Sequence, residues 1–173
     1  MICVLYAILA AILIVLDQLT KHWAVTALVQ GPIPVIDDVF EFQFHKNPGV
    51  AFSLLEGKQW LFVPISLLMT VLLIAILIRS PLHKSKFFCI SIVMVISGAV
   101  GNLIDRIMLG YVVDFLYFKW IDFPIFNFAD CCVVIGACLL FGYLLLGMRD
   151  VEDMPMRTLL FGIHTKSKES DHG

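Results

Sequence analysis

Four long apolar runs limit what this chain can become more than any other feature. Met1–Leu16 is unbroken and its helical pattern continues to Trp23; Trp60–Ile78, Phe87–Ile104 and Cys131–Met148 follow at 18 or 19 residues each. As helix, each of the later runs reaches roughly 27–30 Å, about the thickness of a hydrocarbon core. The expectation is an all-α membrane protein, a bundle of four transmembrane helices spanning about 4–23, 60–78, 87–104 and 131–148. Residues 1–150 would form one membrane domain with outer loops 24–59 and 105–130, followed by a polar tail over 151–173. The chain is 60% hydrophobic and 15% charged, against about 25% charged in soluble domains. A net charge of −2 offers no basic surface to a phosphate backbone, so nucleic acid is not an expected partner.

Lysine and arginine placement gives the orientation. The short 79–86 connection holds Arg79, Lys84 and Lys86, whereas residues 24–59 hold only Lys46 and Lys58 against Asp37, Asp38, Glu41 and Glu56. The 79–86 connection is therefore predicted to be cytoplasmic, with both termini inside and the two longer loops outside. Met1–Leu16 lacks a basic leading segment, and Asp17, Lys21 and His22 follow it where a cleavage site would need small residues; it reads as a retained first span. The five cysteines are Cys3, Cys89, Cys131, Cys132 and Cys138, all inside apolar spans and without a C-x-x-C pair, so they read as apolar filler.

The outer loops carry patterns of their own. Phe40, Phe42 and Phe44 alternate with Glu41, Gln43 and His45, the period of a half-buried strand. Asn47-Pro48-Gly49 is turn chemistry, and Val50–Leu55 is expected to return as a second strand. The second loop, Tyr111–Phe128, is aromatic and apolar and is expected at the membrane interface, as an aromatic small β-element would be.

Ionisable groups inside a membrane span cost about 2.5–3.5 kcal/mol each and are functional candidates by default. The ionisable groups and the polar amides beside them are Asp17 with Lys21, Asn102 with Asp105 and Arg106, then Asp114, Asn127 and Asp130. Under the expected topology all of them fall in one layer near the outer leaflet, Asp114 in the loop between spans three and four. Groups placed only to end helices would mark both faces. Each residue also has a simpler account: Asp130 as a helix-start charge, Asp17 and Lys21 as an i, i+4 pair, Asp105 and Arg106 as a surface ion pair. Their gathering in one layer favours a site. Gly98, Gly101, Asn102 and Asp105 share one stripe of span three, where a helix or an extended substrate could approach closely. Plain helix packing is the alternative, and for Gly98 alone the simpler one.

No H-E-x-x-H motif or histidine cluster supports metal hydrolysis, and no serine nucleophile motif stands out. Two aspartates at a partly dry site would share a proton. The ionised one would activate water and the neutral one would donate to the carbonyl.

The motifs Asp17-Gln-Leu-Thr-Lys21, Asn47-Pro-Gly-Val-Ala-Phe52, Gly98-Ala-Val-Gly-Asn-Leu-Ile-Asp-Arg106, Val112-Val-Asp-Phe115 and Phe126-Asn-Phe-Ala-Asp130 stand in order. Together they resemble the bacterial lipoprotein signal peptidases, or signal peptidase II. That resemblance implies a membrane aspartic endopeptidase of the bacterial cytoplasmic membrane with its site near the outer leaflet. It would cut diacylglyceryl-modified prolipoproteins N-terminal to the lipidated cysteine, beside membrane lipid, without metal or organic cofactor, and as a monomer. It further implies Asp114 and Asp130 as the catalytic pair, with Asn102 and Arg106 shaping the site. Asn127, Asn47, Gly49, Asp17, Lys21, Gly98, Gly101, Asp105 and Phe126 would bind substrate or support the site, the glycine stripe receiving the signal helix. The rival from another class is a small four-span proton-coupled transporter using Asp17 or Asp130; it would place its acid nearer mid-membrane. A non-catalytic scaffold would not need paired acids in one layer.

Overall fold

A computed structural model describes residues 2–49, 59–80 and 85–147. Four helices form within them: α1 (Ile2–Ala27), α2 (Gln59–Arg79), α3 (Lys86–Met108) and α4 (Phe128–Gly147). Three are long and apolar enough to cross a membrane, over Val4–Ala27, Lys86–Met108 and Phe128–Leu145; Val63–Arg79 is a shorter apolar helix. Most of the large side chains that α1 and α4 leave uncovered are apolar, among them Ile8, Ile12, Val134 and Phe141, as lipid-facing surfaces require. The expected returning strand at Val50–Leu55 and the tail beyond 150 lie outside the described residues.

The centre of the bundle is α3, which packs on α1, α2 and α4. Ser85 caps its start, its hydroxyl accepting from the Phe88 N–H. Its first half is apolar. Phe88, Cys89, Ile92 and Ile96 are buried, with Leu73 and Leu77 of α2 and Leu140 and Tyr143 of α4 around them. Small residues let α4 approach: a Cβ on Gly136 would come within 2.8 Å of the Ser91 carbonyl oxygen. The helix continues past the apolar run to Met108 and ends before Gly110 at φ +79°, a left-handed stop that suits glycine.

The two longer connections meet in one antiparallel sheet. Strands β1 (Ile33–Ile36), β2 (Phe40–Asn47) and β3 (Val112–Tyr117) lie in the order β1-β2-β3. The alternating Phe40–Phe44 segment is thus a strand, and it is the central one. A tight turn joins β1 to β2, with Asp38 at φ +55° and the Val39 N–H on the Ile36 carbonyl at 3.0 Å. One face of the sheet rests on the end of α1, where Ala24, Leu28, Val113 and Phe115 are buried beneath Phe42, Phe44 and Tyr111. Trp23 meets Phe42 edge-on at 5.2 Å between ring centroids.

Candidate active site

The polar residues of the sequence converge where the last third of α3, the start of α4, the far part of α1 and the sheet come together. Asp114 corrects its expected place. It lies on β3 rather than in an open loop, opposite His45 of β2, and is fully buried. Its Oδ1 accepts from Asn127 Nδ2 at 2.6 Å and its Oδ2 from Asn47 Nδ2 at 2.8 Å. Burial, above all, pushes its carboxyl from an ordinary 3.8 up to about 6; the Asp130 charge adds to the rise, and the Asn47 and Asn127 amides oppose it.

Asp130 is half-buried in the first turn of α4, which begins three residues earlier than the apolar run suggested. Asn127 and Asp130 cap the helix reciprocally: the Asp130 N–H donates to Asn127 Oδ1 at 2.9 Å, and the Asn127 N–H to Asp130 Oδ2 at 3.1 Å. The other carboxylate oxygen, Oδ1, accepts from Asn102 Nδ2 at 2.8 Å. Asn127 also donates to Asn102 Oδ1 at 3.1 Å, so both aspartates belong to one network through two buried asparagines.

Behind this pair lies a second set of acids. Lys21, 3% exposed, sits 2.9 Å from Asp17 Oδ2, 3.1 Å from Asp105 Oδ2 and 2.9 Å from Asn102 Oδ1. Asp17 Oδ1 accepts from the Ala129 N–H at 3.0 Å, so α1 caps α4. Asp105 Oδ2 accepts from the Val113 N–H at 3.0 Å and fixes the start of β3. Asp105 was expected either to support the site or to pair with Arg106 on the surface; its buried partner is Lys21, one helix away. Gln18 was not singled out in the sequence, yet its amide bridges Asp17, Asp105 and the Gly101 carbonyl at 3.1–3.2 Å. An amide next to an acid in an apolar helix was the available signal.

The remaining expected residues divide. Gly49, at φ +83°, donates its N–H to Asn47 Oδ1 at 2.8 Å, the turn that aims Asn47 at Asp114. Phe126 exchanges backbone hydrogen bonds with Leu116 at 2.8 and 3.1 Å and stacks on Phe118, clamping β3 to the start of α4. Half-buried Arg106 donates to the Asn102 carbonyl at 3.3 Å, within reach of the Asp130 and Asp114 fields without a direct ion pair among the described residues.

The glycine stripe is a correction. A Cβ on Gly98 would strike the Ala129 carbonyl oxygen and one on Gly101 the Asp17 carboxylate. The stripe is filled by α4 and α1 and leaves no room for a substrate helix. A cavity of about 210 Å³ between α1 and α3 is lined by Gln18, Lys21, Ile104 and Asp105, among others, and by neither Asp114 nor Asp130.

The arrangement is one fully buried and one half-buried aspartate, joined by amides at a sheet–helix junction. That is equipment for acid–base activation of water. Comparison with known proteins leads to the same chemistry. Residues 9–146 match the family model described as signal peptidase (SPase) II. The chain is 43% identical over 142 residues to a lipoprotein signal peptidase of Clostridioides difficile strain 630, covering 82% of this chain and 95% of that one. It is 39% identical over 151 residues to one of Enterococcus faecalis strain V583, covering 87% and 93%. A solved bacterial membrane enzyme superposes with a TM-score of 0.75 at 32% identity, over 81% of this chain and 92% of that one. A family match over most of the chain, joined to a fold that brings Asp17, Asn47, Asn102, Asp114 and Asp130 into one hydrogen-bonded network, makes this chain a member of the signal peptidase II family.

Proposed function

We propose that Asp114 and Asp130 are the reacting pair of this membrane aspartic endopeptidase, which removes signal peptides from prolipoproteins. The observation that carries the assignment is the single amide network binding a fully buried aspartate to a half-buried one. Asp114, with its carboxyl raised to about 6, is the acid. Asp130, whose two oxygens accept N–H donors at the positive end of α4, is the base. Asp130 takes a proton from water as the water oxygen attacks the scissile carbonyl carbon. Asp114 gives its proton to the carbonyl oxygen. Collapse of the tetrahedral intermediate breaks the C–N bond, the proton held by Asp130 passes to the leaving amine, and Asp114 recovers its own. Atoms and charge balance without metal or organic cofactor.

The substrate class is a diacylglyceryl-modified prolipoprotein cut N-terminal to the lipidated cysteine. The lipid must stay in the bilayer while the amide meets both water and the aspartates, so the site belongs at a leaflet boundary. The cationic 79–86 connection at the opposite end of α3 supports four spans with both termini in the cytoplasm and the site at the outer leaflet of the bacterial cytoplasmic membrane. The enzyme works as a monomer among membrane lipids. A gel-shift assay in detergent tests this reading, comparing precursor with and without the diacylglyceryl group. Cleavage of the lipidated form alone is expected; equal cleavage of both would remove the lipid from recognition, and no cleavage by folded protein would remove the activity.

A further inference from the structure

We propose that Lys21 is a positioning residue for the reacting pair: it pins the carbonyl end of the Asn102 amide and so forces the amino end onto Asp130. The inference rests on the reading of Asp114 and Asp130 as the pair that performs the cleavage.

The two ends of an asparagine amide have nearly the same shape, and half a turn about the last side-chain bond exchanges donor for acceptor. Something must choose. At Asn47 the choice is made by the Gly49 N–H, and at Asn127 by the Asp130 N–H, each donating to the amide oxygen at 2.8 and 2.9 Å. Both are backbone groups. At Asn102 the donors on Oδ1 are side chains, Lys21 Nζ at 2.9 Å and Asn127 Nδ2 at 3.1 Å. An ammonium has three N–H groups and no lone pair, so the atom facing it must be the oxygen.

Lys21 cannot drift from this duty. Its other two contacts are Asp17 Oδ2 at 2.9 Å and Asp105 Oδ2 at 3.1 Å, so three acceptors meet three donors. With the oxygen held there, Nδ2 points at Asp130 Oδ1, 2.8 Å away. In the flipped amide, N–H groups would face the ammonium and an oxygen would face the carboxylate, repulsive at both ends. The cation thus orients the base through a neutral amide and without touching it, leaving Asp130 without a direct ion pair among the described residues and with lone pairs free to accept a proton. A conventional ion pair would have given up that property.

The test measures kcat and KM on the lipidated precursor, alongside thermal unfolding. Lys21→Met is expected to lower kcat about 100-fold with KM within about threefold, the scale of losing one preorganised donor. Lys21→Arg, which still only donates, should recover to within about tenfold. In an Asn102→Ala background Lys21→Met should lower kcat no further, because no amide remains to be turned. Near-normal kcat in Lys21→Met, or the same loss repeated in the Asn102→Ala background, would overturn the inference. Lys21→Met leaves two buried carboxylates uncompensated, so Lys21→Met is also made together with Asp105→Asn, which removes one of those charges and leaves Asn102 and the reacting pair unchanged. The double variant should unfold at a higher temperature than Lys21→Met and still lose about 100-fold in kcat; normal cleavage would again overturn the inference. Asp130→Asn is run in parallel. If it cleaves normally, the assignment of the reacting pair has failed; if it is dead while Lys21→Met is normal, only the present inference has.

Discussion

Two pairs of aspartates flank Asn102, and they differ in what holds them. Asp17 and Asp105 each accept three hydrogen bonds, share one ammonium and are almost wholly buried. Asp114 and Asp130 each accept two, all from neutral amides, and neither has an ion-pair partner among the described residues. An ionised carboxylate has room for about four such contacts. The first pair is close to saturated and compensated, so its chemistry is spent on holding α1, α3, α4 and β3 together. The second is oriented by groups that fix its geometry and leave its charge and spare lone pairs available. On the proposed assignment, the same side chain serves as scaffold or reagent according to whether ammonium or amide surrounds it.

The strongest way to break this contrast is to remove a carboxylate from each pair. Asp114→Asn and Asp130→Asn are each expected to lower cleavage by roughly 10⁴-fold or more while the protein remains folded; residual activity near wild type in either would move that residue out of the reacting pair. Asp17→Ala should do the reverse in kind. It leaves Lys21 under-compensated and the Ala129 N–H unbonded, so about 3–5 kcal/mol of stability should go, read as a fall in unfolding temperature in detergent. Gly98→Ala probes the joint between the pairs: the new methyl meets backbone, and a loss of about 1–3 kcal/mol is expected; an unchanged unfolding temperature would mean that α3 and α4 have slack there.

The smallest effects are in pH. Asp114 must be protonated to act as the acid, so kcat/KM should fall as pH rises through about 6. Its pKa is higher folded than its ordinary 3.8, so folding favours the protonated form. That contribution to stability is complete below about 3.8 and lost as pH climbs through about 6. Wild type should therefore unfold at a higher temperature at pH 5 than at pH 8, and Asp114→Asn should narrow the difference. A wild-type rate that rises steadily to pH 8 would assign the proton elsewhere.

Local signals in the sequence were sufficient for the helices, the i, i+4 pair of Asp17 and Lys21, and the strand over Phe40–Phe44, because each depends on neighbours a few residues away. The N-x-x-D capping pattern of Asn127 and Asp130 is equally local but went unread, so the fourth span was placed from 131 although α4 begins at Phe128. What stayed hidden depends on distant partners. Asp105 and Arg106 looked like a loop because charge ends an apolar run; α3 continues through them because Lys21 of α1 compensates Asp105. Val112–Tyr117 looked like a loop because a strand of six residues is recognised by its partner, and that partner is β2, with paired residues 65 to 76 positions upstream. The glycine stripe gave the right spacing and the wrong occupant, since spacing reveals that something comes close without revealing what.

The reach of Asp17 to the Ala129 N–H spans 112 residues, and this sets the order in which the molecule can be finished. When α1 enters the membrane, neither Asp105 nor the α4 terminus has yet been synthesised. Its carboxylate then has its own Lys21, one turn away, as compensation, and the helix crosses as a near-neutral dipole rather than as an anion. The lysine acquires its second carboxylate, Asp105, with α3, and the acid acquires its backbone partner only when the last helix arrives. A nascent chain halted between α1 and residue 129 therefore lacks the bond that ties α1 to α4, so the site is completed at the end of synthesis, with the final helix as its latch.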